Sequence, residues 1–177
     1  MKRFVILLFV CLATLSVSAE HLKFKGIPLT GTITQFTAKL KAQGVTISPD
    51  NKTAPNGTRW FTGSFYGQKA NIFVYYDTTS KIVYRAKACI ENPKLEILKN
   101  TFYQITESIA TKYGVSGIDD TDYGYPSKVC YLDNGTIGLY YTDYLDYKNY
   151  RQQYVLHIDY TDYESSTKNQ KTLDSDI

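Results

Sequence analysis

The chain has 177 residues, 43% of them hydrophobic and 15% aromatic, and its 20 Lys and Arg against 17 Asp and Glu give a formal net charge of +3. That length admits one compact domain or two small ones. Two of the bases, Lys2 and Arg3, lie in a segment expected to be removed, so the remainder is close to neutral and lacks the clustered positive charge that sequence-independent nucleic-acid binding requires.

The opening MKRFVILLFVCLATLSVSAE places two bases before an apolar run and ends in small and polar residues, which is the layout of a secretory signal peptide over residues 1–19. Cleavage is expected between Ala19 and Glu20, delivering a secreted or periplasmic protein. The apolar run, Phe4 to about Ala13, falls short of the roughly 20 residues of a membrane span. No later segment approaches that length. Cys11 follows Phe9 and Val10, whereas a lipid-attachment cysteine would follow small residues.

The spacing of Ile33, Phe36 and Leu40 predicts a helix, with Thr32 and Gln35 as a capping box and Gly44 as its stop. Strands are expected at Thr58 to Phe65, Lys69 to Tyr76 and Lys81 to Ile90, with turns at Tyr66-Gly67 and Asp77 to Ser80. Asn92-Pro93 offers a cap and first-turn proline for a second helix carrying Leu95, Leu98, Phe102, Ile105 and Ile109, stopped at Gly114. Beyond it, Lys128 to Leu132 and Thr136 to Thr142 flank Asp133-Asn-Gly135, where Asn-Gly predicts a type I′ hairpin turn. The last strand is expected at Tyr150 to Thr161. The order is therefore α+β, a helix packed on antiparallel strands in tandem, with units at residues 20–91 and 92–163. Residues 164–177 are polar, unpatterned and expected to be a disordered tail.

HLKFKGIPLTGTITQFTAKLKAQG, FTGSFYGQKANIFVYYD, TFYQITESIATKYG and YVLHIDYTD together resemble a group of small secreted proteins of Bacteroides-type bacteria, which are themselves similar to the β-lactamase-inhibitor-protein fold. The likeness spans about residues 21–162. It implies tandem units of helices on an antiparallel sheet and suggests protein binding. It does not imply inhibition of a β-lactamase, because no inhibitory loop can be matched residue by residue. Nor does it supply a disulfide, since the inhibitor's bridges lie within its units.

Cys89 and Cys130 survive processing. In an oxidising compartment an isolated pair reads as a structural disulfide, here joining the two units; the alternative is two unpaired thiols. Neither these cysteines nor His21 and His157 have metal-ligand spacing, and no cofactor is implied.

Side-chain alternation sorts the aromatic residues by face. Phe61, Phe65, Ala70, Ile72, Val74, Ile82, Tyr84, Ala86, Ala88 and Ile90 are expected to face the helices. In the second half, Val129, Tyr131, Ile137, Leu139, Tyr141, Tyr154, Leu156, Ile158 and Tyr160 should do the same. Left outward are Trp60, Tyr66, Phe73, Tyr75 and Val83, beside Arg85 and Lys87. Tyr140 and the loop residues Tyr144, Tyr147 and Tyr150 extend this set. Cys89 and Cys130 are both expected outward.

Tyrosine and tryptophan give large contact area at low entropic cost, so such a face reads as a recognition surface for a protein or peptide. Aromatic residues also favour strands for their own sake, which gives a purely structural account of the same pattern. Exposed rings that stack on sugars make carbohydrate binding the alternative function, weakened by Trp60 being the sole tryptophan. An enzyme is the weakest reading: there is no G-x-S-x-G, H-E-x-x-H or phosphate-binding glycine loop. Asp119, Asp120 and Asp122, with Asp143, Asp146, Asp159 and Asp162, read as solvated acids. Asp120-Thr-Asp-Tyr-Gly124 is faintly like a calcium loop, but its twelfth position is Tyr131 instead of Glu. Asn51, Asn56 and Asn134 begin Asn-x-Thr triplets, read as turn chemistry outside a eukaryotic secretory pathway.

Overall fold

The computed structural model describes residues 20–115, 117–122 and 124–168, residues 118–122 through their backbone; the expected signal segment and residues 169–177 lie outside it. The chain enters as a small hairpin, β1 (Lys23–Phe24) and β2 (Ile27–Pro28), and then forms α1 (Ile33–Ala42). The expected capping box is present: Gln35 N donates to Thr32 Oγ1, and Thr32 N donates to Gln35 Oε1. β3 (Thr46–Ile47), a 3-10 helix (Pro49–Thr53), β4 (Thr58–Phe65), β5 (Gln68–Tyr76) and β6 (Val83–Asn92) follow. Next come α2 (Leu95–Tyr113), β7 (Ile118–Asp122), β8 (Tyr125–Leu132), β9 (Gly135–Asp146) and β10 (Arg151–Asp162).

Eight strands form one antiparallel sheet in the order β3-β4-β5-β6-β10-β9-β8-β7. The last strand of each half meets the other at the centre, with Leu156 opposite Ile90 and Ile158 opposite Ala88. α2 carries the chain from the middle of the sheet to its far edge, and its 19 residues are enough for the trip. At 1.5 Å per residue it is about 28 Å long, against about 19 Å for four strand spacings. Ile33, Phe36 and Leu40 of α1 join Leu98, Phe102, Ile105 and Ile109 of α2 in a single core with the inward residues of both halves. Phe24, Ile27 and Leu29 of the entering segment belong to the same core. The fold is therefore α+β with a large antiparallel sheet, and the two halves share it.

Alternation holds for most strands. Phe61, Phe65, Ala70, Ile72 and Val74 are buried on the helix side, as are Ile137, Leu139, Tyr141, Leu156, Ile158 and Tyr160. It fails at two places. The β5–β6 register slips between Tyr75 and Tyr76, so that Tyr76 faces Val83 while Tyr75 faces Arg85. The extra residue, Tyr84, absorbs one step of the pleat, which turns Val83 into the core instead of outward and leaves Ile82 and Tyr84 half-buried. In β8 the parity is opposite to that expected: Cys130 pairs with the inward Ile137 and is buried in the core, while Tyr131 is exposed.

That second reversal removes the expected disulfide. Cys89 lies on the outer face of β6 and Cys130 on the helix side of β8, and the two are not bonded to each other. Three strand spacings, about 14 Å, separate them laterally, with the sheet itself between. A bridge needs α-carbons within about 7 Å.

Other local expectations change for identifiable reasons. α2 begins after Lys94, which supplies no side-chain cap; Asn92 is still in β6, and its Oδ1 accepts from Lys94 N across Pro93. Gly135 is not in a positive-φ turn, because Leu132 pairs with Gly135 and the two loop residues are Asp133 and Asn134, neither with positive φ. Type I′ geometry appears instead at Lys25-Gly26, with φ of 50° and 75°, and at Tyr66-Gly67, with φ of 47° and 73°. Asp119, Asp120 and Asp122 are strand residues in β7, paired with Lys128, Ser127 and Tyr125, so the stretch from Asp120 to Tyr131 is a hairpin and not a cation loop. Residues 163–168, which include the first five of the expected tail, form a helical turn whose Ser165 N donates to Asp162 Oδ1 and whose Ser165 Oγ donates to Leu29 O.

Candidate functional site: the outer face of the sheet

Both helices occupy one face of the sheet, and the register aligns side chains on the other into rows. One row runs Trp60, Phe73, Lys87, Asp159 and Gly138. A second runs Thr58, Tyr75, Arg85 and Thr161, and a third Thr62, Asn71, Cys89, His157 and Tyr140. Trp60, Phe73, Tyr75 and Tyr140 are half-buried and stand outside the core cluster.

Neighbours along each row hold these rings in place. Trp60 and Phe73 meet edge to face with centroids 5.6 Å apart, and the Lys87 amine lies 5.5 Å from the Phe73 centroid. The Arg85 guanidinium stacks over Tyr75 at 4.9 Å and makes a two-pronged pair with Asp159, Nε donating to Oδ1 at 2.8 Å and Nη2 to Oδ2. The Asp159 hydrogen bonds hold the guanidinium even more firmly protonated than usual, against the cost of its burial. Such an Arg–carboxylate fork fixes orientation as well as charge. Burial raises the pKa of the Tyr75 and Tyr140 hydroxyls, so both remain protonated donors well above neutral pH.

The third row holds a cluster that joins both halves of the chain. His157 stacks on Tyr140 with centroids 4.6 Å apart; its Nδ1 lies 3.2 Å from Cys89 Sγ and its Nε2 2.7 Å from Thr142 Oγ1. Burial pushes the Cys89 thiol up to about 12 and the His157 imidazole down to about 4, with the Lys87 charge also opposing protonation of the imidazole. At neutral pH this is a thiol beside a neutral ring, not the thiolate–imidazolium pair of a cysteine nucleophile. Among the described residues no three His, Cys, Asp or Glu side chains gather as metal ligands.

His157 also makes stability depend on pH. Its folded-state value lies below the ordinary 6.5, so the unfolded chain binds the proton more readily. The resulting stabilisation is complete above pH 6.5 and is lost as pH falls toward 4. Discounted for the part of the ring that water reaches, it is worth about 2 kcal/mol. Urea denaturation from pH 7.5 down to 4 should show the native protein losing about that much more stability than His157→Phe, which keeps the ring on Tyr140 but cannot titrate. Parallel profiles would remove this role.

Known protein families, curated proteins and solved structures yield no match to this chain. The face must therefore be read on its own chemistry.

Of the residues expected at this surface, Trp60, Phe73, Tyr75, Arg85, Lys87 and Tyr140 come together on it. Tyr144 lies farther along the outer side of β9, its hydroxyl donating to Glu91 Oε2 at 3.3 Å. Tyr147 and Tyr150 occupy the β9–β10 connection, more than three-quarters exposed and away from the rows. Tyr66 is not on this face. Its turn tips it to the helix side, where it packs 5.2 Å from the Phe65 ring beside residues of α2. His157, Asp159 and Thr142 complete the surface; alternation along the last strand turns His157 and Asp159 outward, but their partners are reached only through the β6–β10 and β9–β10 pairings.

Proposed function

We propose that this protein is an exported, non-catalytic binding module that holds a protein or peptide on the outer face of its sheet. One observation carries the reading: the half-exposed rings of Trp60, Phe73, Tyr75 and Tyr140 sit in a continuous surface, each held by a neighbour through edge-to-face, cation–π or stacking contact. Rings already fixed in the free protein lose little freedom when a partner covers them, which favours recognition. Aromatic and Arg side chains at the centre of a patch are the residue types that dominate binding energy. Export follows from the residues 1–19 pattern; among the described residues no helix is long and apolar enough to cross a membrane. We further read the palindromic strand order as a tandem helix-plus-sheet duplication of the β-lactamase-inhibitor-protein kind, supported by each half running from a helix into strands whose last member reaches the centre.

The test is affinity capture from the native envelope with the protein immobilised, followed by rebinding of the purified captured species. Trp60→Ala and Phe73→Ala should each weaken rebinding by roughly tenfold, a loss of about 1.4 kcal/mol. A captured species that binds both variants as well as the parent would overturn the assignment of this face. Binding to a glycan array, lost on Trp60→Ala and with no protein retained, would replace the peptide reading with the carbohydrate one.

A further inference from the structure

A cavity of about 450 Å³ opens on the opposite side of the molecule, where the β1–β2 hairpin, the β4–β5 turn and the last turns of α2 converge. Its volume lies within the range of small-molecule sites. Phe65, Tyr66, Ile109 and Tyr113 form apolar and aromatic walls, while Lys23, Lys25 and Lys112 supply positive charge; among the described residues no acidic side chain lines it. Lys23 is paired with Glu20, outside the lining. Lys25 donates to Ser64 O at 2.9 Å with its amine 5.9 Å from the Phe65 centroid, and the Lys112 amine lies 4.8 Å from the Tyr113 centroid. Among the described residues neither Lys25 nor Lys112 has a carboxylate within salt-bridge distance, although the pKa of the Glu20 carboxyl is lowered by its Lys23 hydrogen bond and, in part, by the nearby Lys112 charge.

A second feature belongs to the same space. Tyr160 is only 6% exposed, its ring is clamped by Phe24 and Phe65, and it contributes to the lining of the cavity. A tyrosine pairs an apolar ring with a hydroxyl that can donate a hydrogen bond. The walls are also built against local preference: Lys25 and Tyr66 hold the first positions of type I′ turns, where Asn or Gly fits positive φ best, and both side chains line the opening. Gln43 Nε2 donates to Lys25 O and ties the hairpin to the end of α1.

We propose that this cavity binds an anionic amphiphile, a carboxylate or sulfonate on an aromatic or aliphatic body, with the anion on Lys25 and Lys112, the body against Phe65, Tyr66 and Ile109, and the Tyr160 hydroxyl donating to a ligand oxygen. The site is separate from the outer face and does not depend on what that face binds.

The probe is anilinonaphthalene sulfonate, titrated by fluorescence into the purified protein, with uncharged phenylnaphthylamine as its control and laurate as an aliphatic competitor. The sulfonate should bind one to one, at least roughly tenfold more tightly than the neutral compound, and should be displaced by laurate. Lys25→Gln with Lys112→Gln should abolish the preference for the anion, and Tyr160→Phe should weaken binding several-fold while keeping the ring packing. Ser108→Trp, at an exposed α2 position on the lining, should fill the space and remove binding of both compounds. Equal affinity for the charged and neutral compounds, or binding unchanged in Ser108→Trp, would overturn the proposal. Should Ser108→Trp fail to give native circular dichroism, the lysine pair decides. Trp60→Ala must leave the titration unchanged, so failure here and failure at the outer face are read separately.

Discussion

Asp162→Ala should destabilise the protein by about 3–5 kcal/mol, more than any exposed-face substitution considered above. The carboxylate is 1% exposed and closes three connections at once. Oδ2 accepts from Leu22 N at 2.8 Å, Oδ1 accepts from Ser165 N at 2.9 Å, and the His21 Nδ1 atom lies 3.1 Å from Oδ1. Alanine leaves two buried backbone donors without their acceptor, and the desolvation of each then goes uncompensated. Asp162→Asn keeps one carbonyl oxygen and should lose roughly half as much. Urea denaturation measures the total, and hydrogen exchange at the Leu22 and Ser165 amides locates it: both should exchange faster in the alanine variant while the β6–β10 amides keep their protection. Uniform loss of protection would mean that the carboxylate acts globally. The consequence reaches the cavity too, because Leu22 precedes the hairpin that carries Lys23 and Lys25.

Much of this architecture is legible in the residues, for reasons that differ by element. Thr32 and Gln35 announce the start of α1 because a capping box is a local contact, complete within four residues. Ile72 and Val74 declare their face because a pleat has a period of two. Val83 breaks that inference through a bulge at Tyr84, which depends on how β5 and β6 slide past one another and leaves no trace in either strand alone. Cys130 is misplaced for a related reason: Val129, Cys130 and Tyr131 are all apolar enough for either face, and the choice is made by pairing with Ile137. The hairpin at Lys25-Gly26 escapes notice because its strands are two residues each. Of the candidate surface, the rings could be found by parity. The Cys89–His157–Thr142 cluster could not, since it needs three strands brought together from distant parts of the chain.

Gly135 shows how a residue can be required for a reason other than the one its neighbours suggest. Asn134-Gly135 looks like turn chemistry, yet Gly135 is in β9, buried and opposite Asp162. A β-carbon there would lie 2.2 Å from Thr161 O and 3.1 Å from Leu22 Cδ2. The first of these is a backbone atom of the central hairpin and cannot swing aside as a long side chain would. Gly135→Ala should therefore cost about 3 kcal/mol, at the upper end for adding one methyl group to a packed interior. Relief comes by parting β9 from β10 at their ends or by pushing Leu22 outward, and either movement strains the Leu22 N bond to Asp162. The two substitutions thus act on one junction. In a double-mutant cycle their costs should fall short of additivity by about 1 kcal/mol or more, because whichever change comes first has already loosened what the second would disturb. Strict additivity in the urea midpoints would show that the entering segment and the β9–β10 end are held independently.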